Sequence, residues 1–403
     1  MNGVRALLAN EAGGGRGHVA LLAAAARALG PEVARIAAIG RLRFAGELAG
    51  VCDRVAAAPL LARPGSAPRT FDLRGSATWG DVLAEIGLAD PVRLRRGLRF
   101  WRDLIVAEDI SLLIADFAPL ALRAALGLRE EGWAIRIVSL GTGYSAPPSG
   151  LSGFPVFLAD HDRITHAEGA TLDLVNDAGR ELGWTDLPRL AALYDVDLSL
   201  AATFAFLDPY RAWRPATGRI APLVRAAPAP AGRGNGVFVY ASTAEALDEP
   251  MVEALATLPH PRQGFLPRAP QAVAQRLSAS GMDLLDHPAS EDEIAAHAGV
   301  IVHTASHGTI CMAALAGLPQ VGIPRHLEQL HNARQAREMG ILHLVEPGSP
   351  DLRDRIAATA ADAALAARAR AVADRLRRDH PDDPIAALAD RLRPEIEAAA
   401  AAL

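Results

Sequence analysis

The chain alternates short apolar runs with longer stretches in which apolar residues recur at helical spacing. Each short run has the length of a buried strand. Strands separated by helices of about ten or more residues form parallel sheets that are covered on both faces. The alternation occurs twice, so the sequence predicts two open α/β domains. The predicted strands cover residues 4–9, 34–39, 112–115, 135–140, 237–240, 299–302 and 320–323.

A segment rich in proline, glycine and alanine separates the two series of strands. Such a composition is typical of a linker, and a chain of 403 residues exceeds the size at which one core keeps growing. We therefore predict an N-terminal domain over residues 1–215, a linker over 216–236 and a C-terminal domain over 237–380. A long alanine-rich helix is expected over 356–377, and a C-terminal helix over 381–403 can pack back on the N-terminal domain.

Composition and charge exclude several classes of function. The net charge of -5 gives no electrostatic reason to expect nucleic acid as a partner. Two cysteines, Cys52 and Cys311, are too few for a disulfide framework or a zinc site. The N-terminus lacks the pattern of a signal peptide, and no apolar run is long enough for a membrane span. We expect a cytoplasmic protein.

The first predicted strand leads into the glycine-rich turn "NEAGGGRGHV", residues 10–19, ahead of a helix predicted over 19–29. Glycines allow positive φ and close approach to a ligand, and the start of the helix offers unpaired N–H groups. The spacing is not that of a dinucleotide fingerprint, because no acidic residue ends the next strand. His18 lies in this turn, either as a surface residue or as a functional ring.

The stretch 300–341 carries polar residues next to two strands. "SHGT", residues 306–309, opens a predicted helix over 310–316, where hydroxyls and backbone N–H groups suit a diphosphate. Glu328 and Gln329 follow the next strand, and an adjacent carboxylate and amide suit the hydroxyls of a sugar ring.

The segments "SHGT", "ALAGLPQ" and "IPRHLEQLHNA" resemble, in order and spacing, the donor-site signature of family-1, UDP-glycosyltransferase-like GT-B glycosyltransferases. The resemblance implies an α/β fold of two Rossmann-like, doubly wound parallel-sheet domains that face each other across a cleft. It also implies inverting transfer of a sugar from a UDP- or dTDP-type nucleotide sugar to a hydroxyl of a small-molecule or lipid acceptor. No metal and no cofactor besides the nucleotide sugar, a co-substrate, is expected.

The resemblance assigns roles to residues of both domains. His18 in "GRGHV" is the expected general base, and Asp116, after the strand at 112–115, is the expected aspartate that orients it. Taken alone, Asp116 is more simply interpreted as a helix N-cap. The expected acceptor-binding residues are Gly15, Gly17, Gly141, Thr142, Gly143 and Tyr144. The expected donor-binding residues are Ser242, Thr243, His287, His303, Thr304, Ser306, His307, Gly308, Thr309, Glu328 and Gln329.

The donor loop departs from the family pattern. Thr304 stands where the family has its diphosphate-binding histidine, so His303, His307 or neither ring contacts the phosphate. A packed histidine at the end of a strand is the alternative interpretation of His303. Neither Cys311 nor Met312 supplies the acidic residue that often binds the ribose. The tryptophan on which the base usually stacks is also missing.

Three other functions fit parts of this pattern. A noncatalytic or weakly active GT-B paralogue would bind a nucleotide sugar or assist a partner. A sugar-nucleotide epimerase needs paired acid and base groups, which Glu328 alone does not supply. "GGGRGH" also resembles the turn of the peptidoglycan glucosaminyltransferase, in which case the basic, aromatic stretch 93–104 would touch a membrane. A solvated helix face is the alternative for that stretch.

Overall fold

The computed structural model describes residues 3–62, 76–226, 234–241 and 247–403. These residues divide into two compact units. The N-terminal unit contains residues 3–62, 76–223 and 383–403, and the C-terminal unit contains residues 224–226, 234–241 and 247–382.

A parallel sheet forms the centre of the N-terminal unit. Its strands are β1 (Arg5–Asn10), β2 (Ala34–Ile39), β3 (Arg54–Ala57), β4 (Leu112–Ala115), β5 (Arg136–Gly141), β6 (Leu198–Ala202) and β7 (Arg219–Ile220). Within the described residues they form a seven-stranded sheet in the order β3-β2-β1-β4-β5-β6-β7. The chain order reverses between β1 and β4, and α/β sheets bind ligands at such a switch point.

The C-terminal unit has a second parallel sheet of the same kind. Its strands are β8 (Gly236–Tyr240), β9 (Arg262–Phe265), β10 (Asp283–Leu285), β11 (Ala298–His303), β12 (Gln320–Gly322) and β13 (Leu342–Leu344). The described part of the chain gives a six-stranded sheet in the order β10-β9-β8-β11-β12-β13. The switch point therefore lies between β8 and β11, where His303 pairs with Tyr240.

Helices cover both sheets. They are α1 (Gly17–Ala28), α2 (Trp79–Leu83), α3 (Pro91–Ala107), α4 (Pro119–Glu130), α5 (Glu168–Arg180), α6 (Glu249–Thr257), α7 (Gln271–Ala279), α8 (Glu291–His297), α9 (His307–Ala316), α10 (Leu327–Glu338), α11 (Leu352–Ala361), α12 (Ala363–Asp379) and α13 (Pro384–Ala401). Short helical turns span Leu42–Glu47, Ala84–Leu88, Leu190–Tyr194 and Ala216–Gly218. Among the described residues, none of these helices is long and apolar enough to cross a membrane.

The C-terminal helix α13 belongs to the N-terminal unit. Its Leu388 and Leu392 are fully buried in the same core as Leu22 of α1. Arg136, at the start of β5, forms an ion pair with Glu395 of α13 at 2.6 Å. The last helix therefore contributes both apolar and charged contacts to the unit in which the chain begins.

The two parallel-sheet units confirm the predicted fold class. Several strands were not predicted, namely β3, β6, β9, β10 and β13, because they are short or carry polar residues within the run. Strand β7 lies inside the predicted linker and pairs with β6. The helix predicted over 356–377 is two helices, since Asp362 accepts the N–H of Leu365 at 2.8 Å and so caps α12.

Candidate active site

His18 lies beside Asp116 at the switch point of the first sheet. Strands β1 and β4 are neighbours, so the loops that follow them bring the two side chains together. Nδ1 of His18 lies 2.8 Å from Oδ2 of Asp116. The His18 side chain is 23% exposed, whereas that of Asp116 is fully buried. Because a carboxylate only accepts hydrogen bonds, the contact favours the tautomer with its proton on Nδ1 and a basic Nε2.

Asp116 does not cap the helix that follows it. The N-cap residue of α4 is Ala118, and the Asp116 carboxylate points instead to His18 and to Ser145, whose Oγ donates to Oδ1 at 3.4 Å. The helix-cap interpretation of Asp116 therefore does not describe this structure. Ser145 was not predicted, although it directly follows the expected acceptor-binding residue Tyr144.

Two backbone conformations shape the site. Gly13 has a φ of +95°, and a Cβ there would lie 2.3 Å from the His18 ring, so the position requires glycine. Gly14, Gly15 and Gly17 of the same turn do not have positive φ. Helix α1 begins at Gly17. Gly15 and Gly17 are thus free of that constraint. Phe117 has a φ of +50°, which is uncommon for a bulky residue.

A cluster of aromatic rings extends from His18. The ring centroid of Phe117 lies 5.5 Å from that of His18 and 4.8 Å from that of Trp79. Tyr144 stacks on Phe157 at 4.3 Å and meets Trp79 edge-on at 5.7 Å. Tyr144 therefore lies in the same cluster as the histidine. Sequence reasoning missed Trp79, Phe117 and Phe157, because they come from separate segments of the chain and share no spacing.

The loop after β5 carries the other residues that were expected to bind an acceptor. A Cβ at Gly141 would lie 2.7 Å from Ser145 Oγ, so the loop folds closely onto its own backbone. Gly143 has a φ of +98°, and Thr142 between them is half-buried. The hydrogen bond of Ser145 connects this loop to the histidine–aspartate pair.

In the C-terminal unit, the loop after β11 turns into α9. Ala305 has a φ of +60° and is followed by Ser306, the N-cap residue of α9. Ser306 Oγ lies 2.8 Å from Thr309 Oγ1, and open space surrounds the position that a Cβ would take at Gly308. The backbone N–H groups and hydroxyls at this helix start make it a candidate site for an anion.

His303 uses both ring nitrogens within the protein. Its Nδ1 accepts the N–H of Ala305 at 2.9 Å, so Nε2 carries the proton and donates to Oε1 of Gln320 at 3.0 Å. Burial lowers the pKa of His303 to about 4, and the ring is neutral near pH 7. These contacts match the alternative interpretation, a packed histidine at the end of a strand.

His307 is also buried, at the first residue of α9. Its Nε2 lies 3.7 Å from Sγ of Cys311, and burial lowers the pKa of His307 to about 4. The two histidines of the loop are therefore neutral near pH 7.

Gln329 connects two segments of the candidate donor site. Its Nε2 donates to Thr304 Oγ1 at 3.3 Å, and its Oε1 accepts the N–H of Arg325 at 2.7 Å. Glu328 is half-buried in the first turn of α10. The structure thus brings Thr304 and the start of α10 together.

His287 is separate from this group. It is exposed after β10, the edge strand, and β9 and β8 lie between β10 and β11. Its Nδ1 lies 2.7 Å from Oδ1 of Asp286, whose carboxylate raises the pKa of His287. Ser242 and Thr243 lie outside the described residues. Among the residues that are described, no three His, Cys, Asp or Glu side chains form a group that could hold a metal ion.

The basic stretch 93–104 lies on α3, and acidic partners pair with part of its charge. Arg95 contacts Glu181 at 2.6 Å, and Arg102 contacts Glu131 at 2.9 Å. These pairs favour the solvated helix face over contact with a membrane.

Comparison with known proteins gives the fold a precedent. No family model matches the chain. The chain is 39% identical over 84 residues to the glycosyltransferase GtfC of Amycolatopsis orientalis. This match spans 20% of each protein. Among solved structures, it resembles CalG4, the calicheamicin glycosyltransferase, with a TM-score of 0.68 and 17% identity over 98% of this chain and 99% of that one.

Two further structures contain a nucleotide. The glycosyltransferase VinC in complex with DTDP matches with a TM-score of 0.63 and 15% identity over 98% of this chain and 99% of that one. The spinosyn rhamnosyltransferase SpnG complexed with thymidine diphosphate matches with a TM-score of 0.62 and 16% identity over 97% of this chain and 100% of that one. These structural neighbours are GT-B glycosyltransferases of the family-1 type, and the chain has their fold.

Proposed function

We propose that this chain is an inverting glycosyltransferase that moves a sugar from a nucleoside diphosphate sugar to a hydroxyl group of a small-molecule or lipid acceptor. The observation that carries the proposal is the 2.8 Å contact between His18 and Asp116 at the switch point of the first sheet. The fold supports it, because its structural neighbours are glycosyltransferases. The nucleotides bound to VinC and SpnG favour dTDP, beside UDP, as the nucleotide of the donor.

In this reaction His18 is the general base. Its Nε2 takes the proton of the acceptor hydroxyl as the hydroxyl oxygen forms a bond to the anomeric carbon of the donor sugar. The bond from that carbon to the diphosphate oxygen breaks on the opposite face, so the configuration at the carbon inverts. Asp116 holds the tautomer that leaves Nε2 basic and stabilises the imidazolium that forms.

The start of α9 is the proposed site of the leaving diphosphate. Ser306, Gly308 and Thr309 supply hydroxyl and backbone N–H groups where the helix has its partial positive charge. Glu328 is the proposed contact of the sugar hydroxyls, and Gln329 supports the loop at Thr304. His303 and His307 are left out of the proposed donor ligands, because both are buried and neutral near pH 7.

The acceptor pocket is proposed around the aromatic cluster of the N-terminal unit. The Tyr144 ring contacts Trp79, which contacts Phe117 beside His18, and the segment 141–143 leads directly to Tyr144. Gly15 and Gly17 are proposed to lie against the acceptor, because neither position has a Cβ that would block it.

The test combines donor binding with product analysis. A thermal-shift screen of UDP, dTDP and their sugar conjugates identifies the preferred donor, because a ligand that binds the native state raises the midpoint of unfolding. Transfer to a panel of hydroxyl acceptors is then followed by nucleoside diphosphate release and by NMR of the anomeric proton. We expect an inverted product, full activity in EDTA and a rate about 10²–10⁴-fold lower for His18→Ala. A retained configuration, or wild-type turnover by His18→Ala, would refute the mechanism.

A noncatalytic paralogue is the main competing outcome of this experiment. It would bind a nucleotide sugar in the thermal-shift screen and release no nucleoside diphosphate with any acceptor. The wild-type chain distinguishes the two functions without any variant.

A further inference from the structure

A second carboxyl group, that of Glu11, lies fully buried in the loop that leads from β1 to His18. The Nε1–H of Trp101 donates to its Oε1, and the backbone N–H of Leu120 donates to its Oε2 at 2.9 Å. Leu120 lies in the first turn of α4, whose own N-cap residue, Ala118, offers no side-chain cap. Glu11 therefore supplies the cap that this helix lacks.

The same loop also holds the backbone of the turn that contains Asp116. The backbone N–H of Glu11 donates to the carbonyl of Phe117 at 3.3 Å. The side-chain amide of Asn10 donates to the carbonyl of Asp116 at 3.0 Å and to that of Ala12 at 2.9 Å. Asn10, at the end of β1, and Glu11, next to it, thus bind the consecutive carbonyl groups of Asp116 and Phe117.

These contacts explain how Phe117 keeps a left-handed backbone. A φ of +50° is unfavourable for a bulky residue and persists only where the surroundings restrain it. The restraint comes from Asn10 and Glu11 on one side and from the capped start of α4 on the other. In this conformation Asp116 reaches Nδ1 of His18, and the Phe117 ring packs 5.5 Å from the His18 ring.

We propose that Glu11 is a positioning residue, which keeps Asp116 in hydrogen-bond contact with His18 by holding the start of α4 and the turn at Phe117. The inference rests on the proposed function only in the role that it gives to His18. Glu11 is fully buried and acts through the turn, not on a substrate. Burial raises the pKa of Glu11 to about 8, against the opposing effect of its N–H donors.

A glutamine at this position tests the contact with almost no change in volume. A carboxyl oxygen keeps a lone pair in either protonation state, whereas an amide nitrogen has none. Glu11→Gln therefore places a donor against the N–H of either Trp101 or Leu120. We expect the start of α4 to shift and the contact between Asp116 and His18 to loosen.

Glu131 provides a matched control on the same helix. It follows α4 at the opposite end, and it too accepts a hydrogen bond from a tryptophan, from Nε1 of Trp184 at 2.7 Å. Glu131→Gln therefore perturbs another hydrogen bond between a carboxyl group and an indole, far along the helix from the turn at Phe117.

The experiment reads the His18 ring directly. The full chain is labelled with ¹⁵N-histidine, and the ring resonances of His18 are assigned with His18→Gln among the 12 histidines. We expect the Nδ1–H tautomer in the wild type and in Glu131→Gln, and a mixture of tautomers in Glu11→Gln. In glycosyl transfer, we expect kcat of Glu11→Gln to fall about 10–100-fold, with KM for the donor changed less than about twofold.

Two outcomes overturn the inference. A folded Glu11→Gln with the wild-type tautomer refutes it, and so does an equal change of tautomer in Glu131→Gln. If Glu11→Gln does not fold, the His18 tautomer in Trp101→Phe is the test instead. This variant removes one N–H donor to Glu11 and keeps a ring in the core. If the wild type transfers no sugar but the tautomer still depends on Glu11, the positioning role stands and the proposed function fails.

Discussion

The buried carboxyl group of Glu11 makes the N-terminal unit less stable as the pH rises from 5 to 7. Burial raises its pKa in the folded chain to about 8 from an ordinary value of 4.5. In this range the unfolded chain releases the proton while the folded chain keeps it. Because the folded state binds more protons, the free energy of unfolding falls with increasing pH.

The size of the effect follows from the two pKa values. Each unit of pH between them costs at most about 1.4 kcal/mol. Integrated from pH 5 to pH 7, with the unfolded group already partly ionised at pH 5, the loss is about 2.5 kcal/mol. Glu11→Gln cannot ionise, so we expect its free energy of unfolding to lack this decrease.

Tryptophan fluorescence during urea unfolding measures the stability of the N-terminal unit, which contains Glu11. All 5 tryptophans of the chain, at positions 79, 101, 133, 184 and 213, belong to the N-terminal unit. Glu131→Gln is the control, since Arg102 lowers the pKa of Glu131, whereas burial raises the pKa of Glu11. Equal pH dependence of the wild type and Glu11→Gln between pH 5 and 7 would show that the reasoning about burial is wrong.

Four further predictions test other parts of the structure. Asp116→Asn should lower kcat about 10²–10⁴-fold with little change in KM, measured as nucleoside diphosphate release, and an unchanged kcat would contradict the pairing with His18. Gly13→Ala should lose activity as His18→Ala does, because its Cβ would meet the His18 ring, whereas Gly14→Ala, with open space around its Cβ, should retain it. Leu392→Ala, in the core beneath α13, should reduce the free energy of unfolding by about 2–5 kcal/mol in the same fluorescence assay, and a loss under 1 kcal/mol would contradict that packing. His303→Asn keeps an acceptor for the Ala305 N–H and should remove part of the stability loss between pH 6.5 and pH 4, measured by circular dichroism. Histidines with lowered pKa destabilise the fold as the pH falls, so equal slopes for variant and wild type would refute that role.

The sequence predicts the parts of the site that follow strands of the central sheets. Asp116 comes directly after β4, and His18 is the second residue of α1, the helix that follows β1. Neighbouring parallel strands present the segments that follow them at one edge of the sheet. Ser306 and Thr309 follow β11 in the same way. Such residues are predictable, because a strand pattern gives their position.

Residues that act through tertiary contacts leave no such signal. Glu11 is one of 46 acidic residues and follows a strand, as Asp116 does. Its buried hydrogen bond, however, comes from Trp101 of α3, which lies 90 positions away along the chain. The neutral state of His303 likewise depends on burial, which lowers its pKa despite the opposing effect of the hydrogen bond to Gln320 in the neighbouring strand β12. Both were inaccessible to pattern analysis, because a pKa is set by neighbours that only the folded chain brings together.

A turn with a left-handed residue follows the corresponding strand in each of the two sheets, and the polar residue in that turn differs between them. β4 and β11 occupy corresponding positions in the strand orders, and each ends two residues before a left-handed residue that is not glycine, Phe117 or Ala305. The residue between is Asp116 in one unit and Thr304 in the other. Asp116 orients a histidine, whereas Thr304 accepts a hydrogen bond from Gln329 beside an open helix start. The same backbone geometry thus presents the hydrogen-bond partner of His18 in the first unit and a candidate anion site in the second, and both units keep it despite its conformational cost.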